Sequence, residues 1–270
     1  MGDHPVKTMG ILVGSFLLYL LFTIPYFSIA RLKTQNPVET ALMEQRVQEA
    51  GQSGKKLRIV QRWVPLSRIS KNLIDAVIVA EDGTFYTHGG VDWFEVKESI
   101  EKNIDEGRAA RGASTITQQL AKNLYLSTSK DPVRKLRELL ITLLLEHELT
   151  KSRILEIYLN VIEWGRGVFG VEAAAQTYFG KSASALSLEE ATRLAAIIPS
   201  PLRHRPTDDS RYVLRRKGIV LRRMEARYST DQPQPKENAS SDTANQHPST
   251  DTLEEIEDST DIEEDANHGL

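Results

Sequence analysis

The sequence of 270 residues contains no cysteine. Disulfide bonds and metal sites built on thiolates are therefore excluded, and the composition is compatible with an oxidising compartment. Internal repeats are also missing, as is any succession of alternating strands, which argues against solenoids and sheet-based folds. The patterns that remain are helical, so we predict a mainly α protein.

Aromatic residues are missing from the C-terminal segment, residues 229–270, which carries twelve acidic residues and one lysine. Such a segment cannot bury enough apolar surface to offset the entropy of ordering it, so we predict an acidic disordered tail. The whole chain has a net charge of −3, which leaves residues 1–228 with a net charge of +8. A basic body suits an anionic partner, either lipid phosphate or nucleic acid.

Charge is missing from residues 8–30, between Lys7 and Arg31. At about 1.5 Å per residue, a helix of this length spans the roughly 30 Å hydrocarbon core of a bilayer. The alternative is a cleaved secretory signal, whose apolar core is usually only about 7 to 15 residues long. We predict a short stub and a transmembrane anchor over residues 1–33. Because Lys7 lies on one side and Arg31 and Lys33 on the other, the positive charges do not define its orientation.

Capping residues delimit helices within residues 34–228, the predicted folded domain. Ser70 is a suitable N-cap for a helix over residues 71–81, in which Glu81 shares a face with leucine and valine. Pro132 begins a Leu-rich helix that is apolar nearly all round, so we predict that it is the buried central helix. Thr150 and Ser187 are predicted to cap further helices, and residues 211–227 to form a strongly basic one.

Two carboxylates fall within apolar helical surroundings. Partial burial of Glu81 would raise its pKa, as suits a general base or acid, whereas the alternative is a helix-terminal glutamate that points into water. Glu138 lies among leucines, with Arg134 and Lys135 one turn earlier. The alternative interpretation of Glu138 is an ordinary ion pair with these cations along the helix, worth about 0.2 to 0.5 kcal/mol. Two carboxylates in one cleft would suit sugar chemistry, while nearby His88 is more typical of a structural hydrogen-bonding residue.

A glycine turn followed by hydroxyl, amide and ammonium groups runs over residues 112–123. Hydroxyls and amides can bind sugar or phosphate oxygens, and Lys122 can hold an anion. Alone, this stretch could equally be a capped helix with a polar face. The residues by themselves indicate a membrane-bound, mainly α enzyme that acts on anionic sugars.

Two longer motifs indicate more closely which kind of enzyme this is. The pattern Glu-Asp-x-x-Phe-x-x-His-x-Gly-x-Asp runs from Glu81 to Asp92. The pattern Gly-Gly-Ser-Thr-Ile-Thr-Gln-Gln-Leu-x-Lys-Asn is matched over residues 112–123, except that Ala113 replaces its second glycine. That exchange removes backbone freedom at one position and bears on the loop geometry rather than on the function.

Further motifs follow in order. Arg-Lys-x-x-Glu stands at residues 134–138 and Ile-Leu-x-x-Tyr-Leu-Asn at residues 154–160, and residues 170–180 and 188–199 fit as well. With this order and spacing, residues 63–224 resemble the peptidoglycan glycosyltransferases, glycosyltransferase family 51, and especially the monofunctional biosynthetic transglycosylases.

The resemblance implies a lysozyme-like glycosyltransferase domain with a small membrane-contacting subdomain, preceded by one transmembrane helix. It implies a protein of the cytoplasmic (inner) membrane with its N-terminus in the cytoplasm and its catalytic domain on the periplasmic or outer side. The donor would be a growing glycan chain on undecaprenyl pyrophosphate and the acceptor lipid II, joined by a β-1,4 link with inversion. Lipid II, the nascent glycan and the membrane are the implied partners, other cell-wall synthases are candidates, and nucleic acid is not expected.

The resemblance also implies roles for individual residues. Glu81 would deprotonate the acceptor 4-hydroxyl, and Glu138 would orient the cations of the site or hold a divalent metal. Mg²⁺ or Mn²⁺ dependence is left open, because the sequence has no dedicated cluster of carboxylate ligands. Cations would stabilise the leaving pyrophosphate. The predicted substrate-binding residues are Asp82, Phe85, His88, Ser114, Thr115, Gln118, Gln119, Lys122, Asn123, Arg134, Lys135 and Asn160.

Two rival functions stay open on the sequence. A lytic, muramidase-like enzyme shares the fold type and a catalytic glutamate, but it needs no pyrophosphate site and so no group of cations such as Lys122, Arg134 and Lys135. A catalytically silent scaffold for cell-wall synthases has no use for the glutamates. Because only the acidic segment follows residue 228, we also expect no transpeptidase activity.

Overall fold

The computed structural model describes residues 4–106, 114–129 and 131–231, and within these ranges the protein is mainly helical, as predicted. The helices are α1 (His4–Phe22), α2 (Tyr26–Arg31), α3 (Ala41–Gln52), α4 (Lys71–Glu81), α5 (Trp93–Glu106), α6 (Ile116–Tyr125), α7 (Pro132–Glu148), α8 (Lys151–Val161), α9 (Val171–Phe179), α10 (Leu188–Ile197) and α11 (Arg211–Asp231). Gly112, Ala113 and the acidic segment after Asp231 lie outside the described residues.

A small sheet accompanies the helices. Strand β1 (Val60–Gln61) runs parallel to β3 (Val168–Phe169), and β3 pairs antiparallel with β2 (Glu163–Gly165). The strand order is therefore β1-β3-β2, which joins the segment before α4 to the hairpin after α8.

Side-chain caps explain where several helices begin. Asp131 accepts a hydrogen bond from the Arg134 amide beside Pro132, Thr150 caps α8, and Ser187 forms a capping box with Glu190. Ser70 differs from the prediction. It stands at the N-cap of α4, but its hydroxyl donates 2.9 Å to the Leu186 carbonyl oxygen and makes no cap. The hydroxyl thus ties α4 to the segment that leads into α10.

Helix α7 is less buried than α8. In α8 all residues from Ile157 to Val161 are buried, whereas α7 leaves Val133, Leu136 and Leu143 exposed, the last by 47%. The prediction that α7 is the buried central helix is therefore wrong. Leucine fills positions all around α7, but packing against α2, α6 and α8 covers only part of its circumference.

Residues 7–31 form, among the described residues, the one segment long and apolar enough to cross a membrane. This is consistent with a single-pass anchor. The segment is not one unbroken helix, because a turn separates α1 from α2 at Pro25. Ile29 of α2 is buried in the domain core, and Arg137 of α7 donates to the Thr23 carbonyl oxygen at 3.4 Å. The end of the apolar run is thus packed against the folded domain.

Candidate active site

Glu81 is the last residue of α4, and its side chain is only 9% exposed. The apolar face of α4 packs against α10 and α11, which carries the carboxylate inward. Gln119 Nε2 donates to Glu81 Oε2 at 2.8 Å, and Arg216 Nη2 lies 3.9 Å from Glu81 Oε1. The alternative of a glutamate that points into water is therefore not what the structure shows.

Burial raises the pKa of the Glu81 carboxyl, because desolvation penalises its charged form. The hydrogen bond from Gln119 and the positive charges of Arg216, Lys122 and Arg223 act in the opposite direction and lower that pKa. A carboxylate with a raised pKa that still faces cations can be ionised and basic, which are the properties of a general base.

Glu138 is also buried, but its two oxygens are already engaged. Arg134 Nη1 donates to Oε2 at 2.5 Å, and Lys135 Nζ donates to Oε1. The carboxylate thus orients two cations from its own helix. In the part of the chain that the structure describes, no group of three His, Asp or Glu side chains could hold a metal ion. A divalent metal at Glu138 stays a prediction, and a metal there would have to compete with the two cations that Glu138 already binds.

Lys122 lies on α6 between these carboxylates and is partly buried. Desolvation lowers the pKa of its ammonium group, and the charges of Arg134 and Lys135 lower it further, against the opposing effect of Glu138 and Glu81. Within the described ranges this ammonium makes no hydrogen bond or ion pair. A desolvated ammonium that has no hydrogen-bonded acceptor among the described residues is suited to binding an anion.

Cations exceed carboxylates where these groups meet. Those that act on the pKa of Glu81 or of Lys122 are Lys122, Arg134, Lys135, Arg216 and Arg223, against Glu81 and Glu138. The Nε atom of Arg134 is buried and, among the described atoms, has no hydrogen-bond partner. The site therefore has spare positive charge and spare donors for a phosphate group.

Four predicted site residues connect the first motif to the start of α6. Asp82 accepts hydrogen bonds from His88 Nε2 at 2.8 Å and from the Ile116 amide at 2.9 Å. Because the Gly90 amide donates to His88 Nδ1, the ring proton lies on Nε2. Thr115 donates to the Gly90 carbonyl oxygen at 2.6 Å and forms a capping box with Gln118. These contacts position α6, and with it Gln119 and Lys122.

The remaining predicted residues are more varied in their surroundings. Phe85 is fully buried, with Lys151 Nζ 4.5 Å from its ring centroid. Asn160 is also fully buried and bonds the main chain of Val64 through both its amide nitrogen and its oxygen. Asn123 is buried on α6, while Ser114 is partly buried just before that helix. The geometry shows Phe85 and Asn160 supporting the fold, and their contact with substrate stays a prediction.

Three residues near Glu81 were not predicted. Arg216 and Arg223 extend from α11, where their Nε and Nη1 atoms donate to the carbonyl oxygens of Ala196 and Val79. Their seven-residue spacing places them on one helical face, and this is the signal that could have indicated them. Tyr158 of α8 donates to Gln119 Oε1 at 2.9 Å. It stands inside a recognised motif, but no pattern connects it to residue 119.

A buried carboxylate with a raised pKa, surrounded by more cations than carboxylates, is an arrangement suited to an enzyme that acts on an anionic substrate. The transglycosylase family model matches residues 48–225. The chain belongs to the transglycosylase family, which confirms the resemblance predicted from the motifs.

Several relatives carry the name biosynthetic peptidoglycan transglycosylase. That of Herminiimonas arsenicoxydans is 44% identical over 214 residues, covering 79% of this chain and 93% of the relative. That of Chromobacterium violaceum is 44% identical over 218 residues, covering 81% and 95%. That of Nitrosospira multiformis is 47% identical over 189 residues, covering 70% and 82%. The likeness extends over nearly the whole length of these proteins.

Proposed function

We propose that this chain polymerises peptidoglycan glycan strands from lipid II. It is a peptidoglycan glycosyltransferase of the biosynthetic type. The growing glycan, held on undecaprenyl pyrophosphate, is transferred to the 4-hydroxyl of lipid II, and undecaprenyl pyrophosphate is released. The observation that carries this proposal is the ammonium of Lys122, unpaired within the described ranges, beside the buried carboxylate of Glu81.

The reaction assigns one task to the carboxylate. Ionised Glu81 takes the proton of the acceptor 4-hydroxyl as that oxygen attacks the anomeric carbon of the donor sugar. The new bond joins oxygen to the anomeric carbon, and the bond from that carbon to the pyrophosphate oxygen breaks. Attack opposite the leaving group converts the α-linked donor into a β-1,4 link. The proton ends on Glu81, and the electron pair leaves with the pyrophosphate.

The second task falls to the cations. Charge develops on the pyrophosphate as it leaves, and donors that are already in place stabilise that charge without reorganisation. Lys122, Arg134 and Lys135 supply this charge, and Glu138 keeps the latter two in position. Arg216 and Arg223 of α11 also act on the pKa of Glu81, and their guanidinium groups suit the phosphates of the acceptor.

The two rival functions fit the geometry less well. A lytic enzyme hydrolyses a neutral glycosidic link and gains nothing from an excess of cations. A silent scaffold would bury Glu81 without benefit, because a desolvated carboxylate costs stability. Contact with other cell-wall synthases stays a prediction.

The decisive experiment is polymerisation of labelled lipid II by the full-length protein in detergent, with products separated by size. We expect long, muramidase-sensitive glycan from the wild type and none from Glu81→Gln. Glu44→Gln, an exchange at an exposed glutamate of α3, is the matched control and should polymerise normally. Absence of polymer from the wild type, across detergents and added metals, would refute the proposal and favour the scaffold.

We also propose a single-pass topology with the N-terminus in the cytoplasm and the catalytic domain outside. The apolar segment 7–31, whose end packs on α7, supports a single anchor that keeps the domain next to the bilayer. The orientation rests on the family, whose substrate lies on the outer side of the membrane. Because the chain has no cysteine, Ser53→Cys places a single thiol on the exposed end of α3. A membrane-impermeant maleimide should label it from the outside of intact spheroplasts, and labelling only after lysis would reverse the topology.

A further inference from the structure

A buried hydrogen-bonded path leads from α8 to the proposed base, Glu81. The hydroxyl of Tyr158 donates to Gln119 Oε1 at 2.9 Å, and Gln119 Nε2 donates to Glu81 Oε2 at 2.8 Å. Tyr158 is fully buried on α8, within the unbroken run of buried residues from Ile157 to Val161. Three elements that are far apart in sequence thus meet in one chain of donors and acceptors.

The direction of donation along these two hydrogen bonds depends on the Tyr158 hydroxyl. Burial raises the pKa of the Tyr158 hydroxyl well above its usual value, and the charges of Glu81 and Asp82 raise it further, so the hydroxyl keeps its proton. Its one acceptor in the described structure is Gln119 Oε1. If the Gln119 amide turned over, this proton would lose its partner, which is costly in a buried position.

Amide orientation in turn favours one protonation state of the base. In the observed orientation Gln119 presents an N–H group to Glu81, which an ionised carboxylate accepts. In the reversed orientation Gln119 would present an oxygen, and only a protonated carboxyl could bond to it. The orientation that satisfies the tyrosine is therefore the one that stabilises the basic form of Glu81.

We propose that Tyr158 is a positioning residue for the transfer reaction, acting through Gln119 to hold Glu81 Oε2 as an acceptor and to leave Oε1 for the substrate proton. This inference rests on the proposed function for its consequence in catalysis. Oε1 lies 3.9 Å from Arg216 Nη2, too far for a hydrogen bond, and among the described residues it accepts no hydrogen bond.

Other charged groups around Glu81 come from two helices. Lys122 of α6 and both Arg216 and Arg223 of α11 lower its pKa through their charge, and Asp82 next to it is engaged by His88 and by the Ile116 amide. Replacement of the tyrosine leaves all of these in place. The one change we expect is that the Gln119 amide is no longer held in a single orientation.

The test compares pH profiles of polymerisation for the wild type and Tyr158→Phe. Phenylalanine keeps the buried ring and removes only the hydroxyl. We expect the acidic limb of kcat to move upward by about one pH unit, because a hydrogen bond to a charged group is weakened. The rate should approach the wild-type value above that limb, and KM should stay unchanged. If the acidic limb of kcat in Tyr158→Phe lay at the same pH as in the wild type, the inference would be overturned.

A double replacement separates positioning from a merely structural role. Gln119→Leu should shift the acidic limb at least as far as Tyr158→Phe. Because the tyrosine acts through the glutamine, adding Tyr158→Phe to Gln119→Leu should shift it no further. Additive shifts would contradict the path. The matched control is Tyr178→Phe, which removes a hydroxyl that donates 2.9 Å to the Trp164 carbonyl oxygen and should leave the limb in place.

A direct titration keeps this inference distinct from the proposed function. The infrared difference between wild type and Glu81→Gln isolates the Glu81 carboxyl, and the same difference is recorded on the Tyr158→Phe background. We expect the carboxyl to titrate about one pH unit higher on that background, whether or not the protein polymerises lipid II. An unchanged titration would refute the role of Tyr158. If Tyr158→Phe failed to fold, Gln119→Leu would decide, since an unshifted titration in it would equally refute the path.

Discussion

Glu81 and Glu138 are two glutamates of similar burial, with side chains 9% and 4% exposed, yet their surroundings differ. Glu138 accepts hydrogen bonds from Arg134 and Lys135, four and three residues earlier on its own helix. Glu81 accepts a hydrogen bond from the neutral amide of Gln119 on one oxygen, and the Arg216 guanidinium lies 3.9 Å from the other. Burial alone therefore does not define a catalytic carboxylate. The partners decide whether the group keeps an oxygen for substrate.

The largest expected effect comes from Glu81→Gln. Loss of a general base typically lowers a rate by about 10²- to 10⁴-fold. Stability should not fall, because the exchange removes a desolvated charge and keeps the shape of the side chain. Initial polymerisation rates and thermal melting of the same preparations test both points. A variant that melts lower and loses activity in proportion would show that Glu81 is structural, like Glu138.

The next effect concerns the cation between the two carboxylates. Lys122→Ala should lower kcat by about 10²- to 10³-fold, as expected for loss of one donor to a developing charge. Lys97→Ala, which removes an exposed lysine of α5, serves as the control. Steady-state kinetics on lipid II distinguish an effect on kcat from an effect on KM. A change confined to KM would place Lys122 in ground-state binding only.

Glu138→Gln should act on stability first. It leaves Arg134 and Lys135 without a charged acceptor, and we expect a loss of about 1 to 3 kcal/mol in the free energy of unfolding. Glu189→Gln is the matched control, because Glu189 also accepts from an arginine and a lysine but is 51% exposed. Its loss should stay within about 0.5 kcal/mol. Equal losses in chemical denaturation would mean that burial of Glu138 contributes nothing.

The smallest effect is a pH dependence of stability. Since the pKa of Glu81 is raised above its usual value of 4.5, the folded protein binds this proton more tightly than the unfolded chain does. Relative to Glu81→Gln, the wild type should therefore be most stable below about pH 4 and should lose that advantage as the pH rises through the raised pKa. The loss amounts to roughly 1.4 kcal/mol for each pH unit that separates the folded pKa from the unfolded pKa. Parallel pH dependences in the two proteins would contradict the raised pKa.

Much of the fold could be predicted because local rules govern it. Asp131 with Pro132 and Ser187 with Glu190 define helix starts through contacts within a few residues. The prediction failed where burial depended on distant packing. The leucines of α7 predicted that it is the buried central helix, but its neighbours cover only part of it. The apolar composition of a helix indicates that it can be buried, but it does not indicate how many other helices pack against it.

The site divides in the same way. Arg134, Lys135 and Glu138 meet within one helical turn, so their contact follows from spacing. Arg216 reaches Glu81 across 135 positions of sequence and Tyr158 reaches Gln119 across 39, and no local pattern encodes such contacts. They arise because α4, α6, α8 and α11 pack around one core.

The sequence by itself determined the family, five of the described helices, the apolar segment and the identity of the two acidic residues, because these depend on residue types at fixed short spacings. The tertiary structure alone decided which of the two glutamates is held in an ion-pair cluster and which keeps an oxygen without a hydrogen bond among the described residues. It also decided that an arginine from a distant helix lies near Glu81 and that a tyrosine from another binds Gln119. The physical reason is that pKa and hydrogen-bond direction depend on desolvation and on partners in space, and packing brings those partners together.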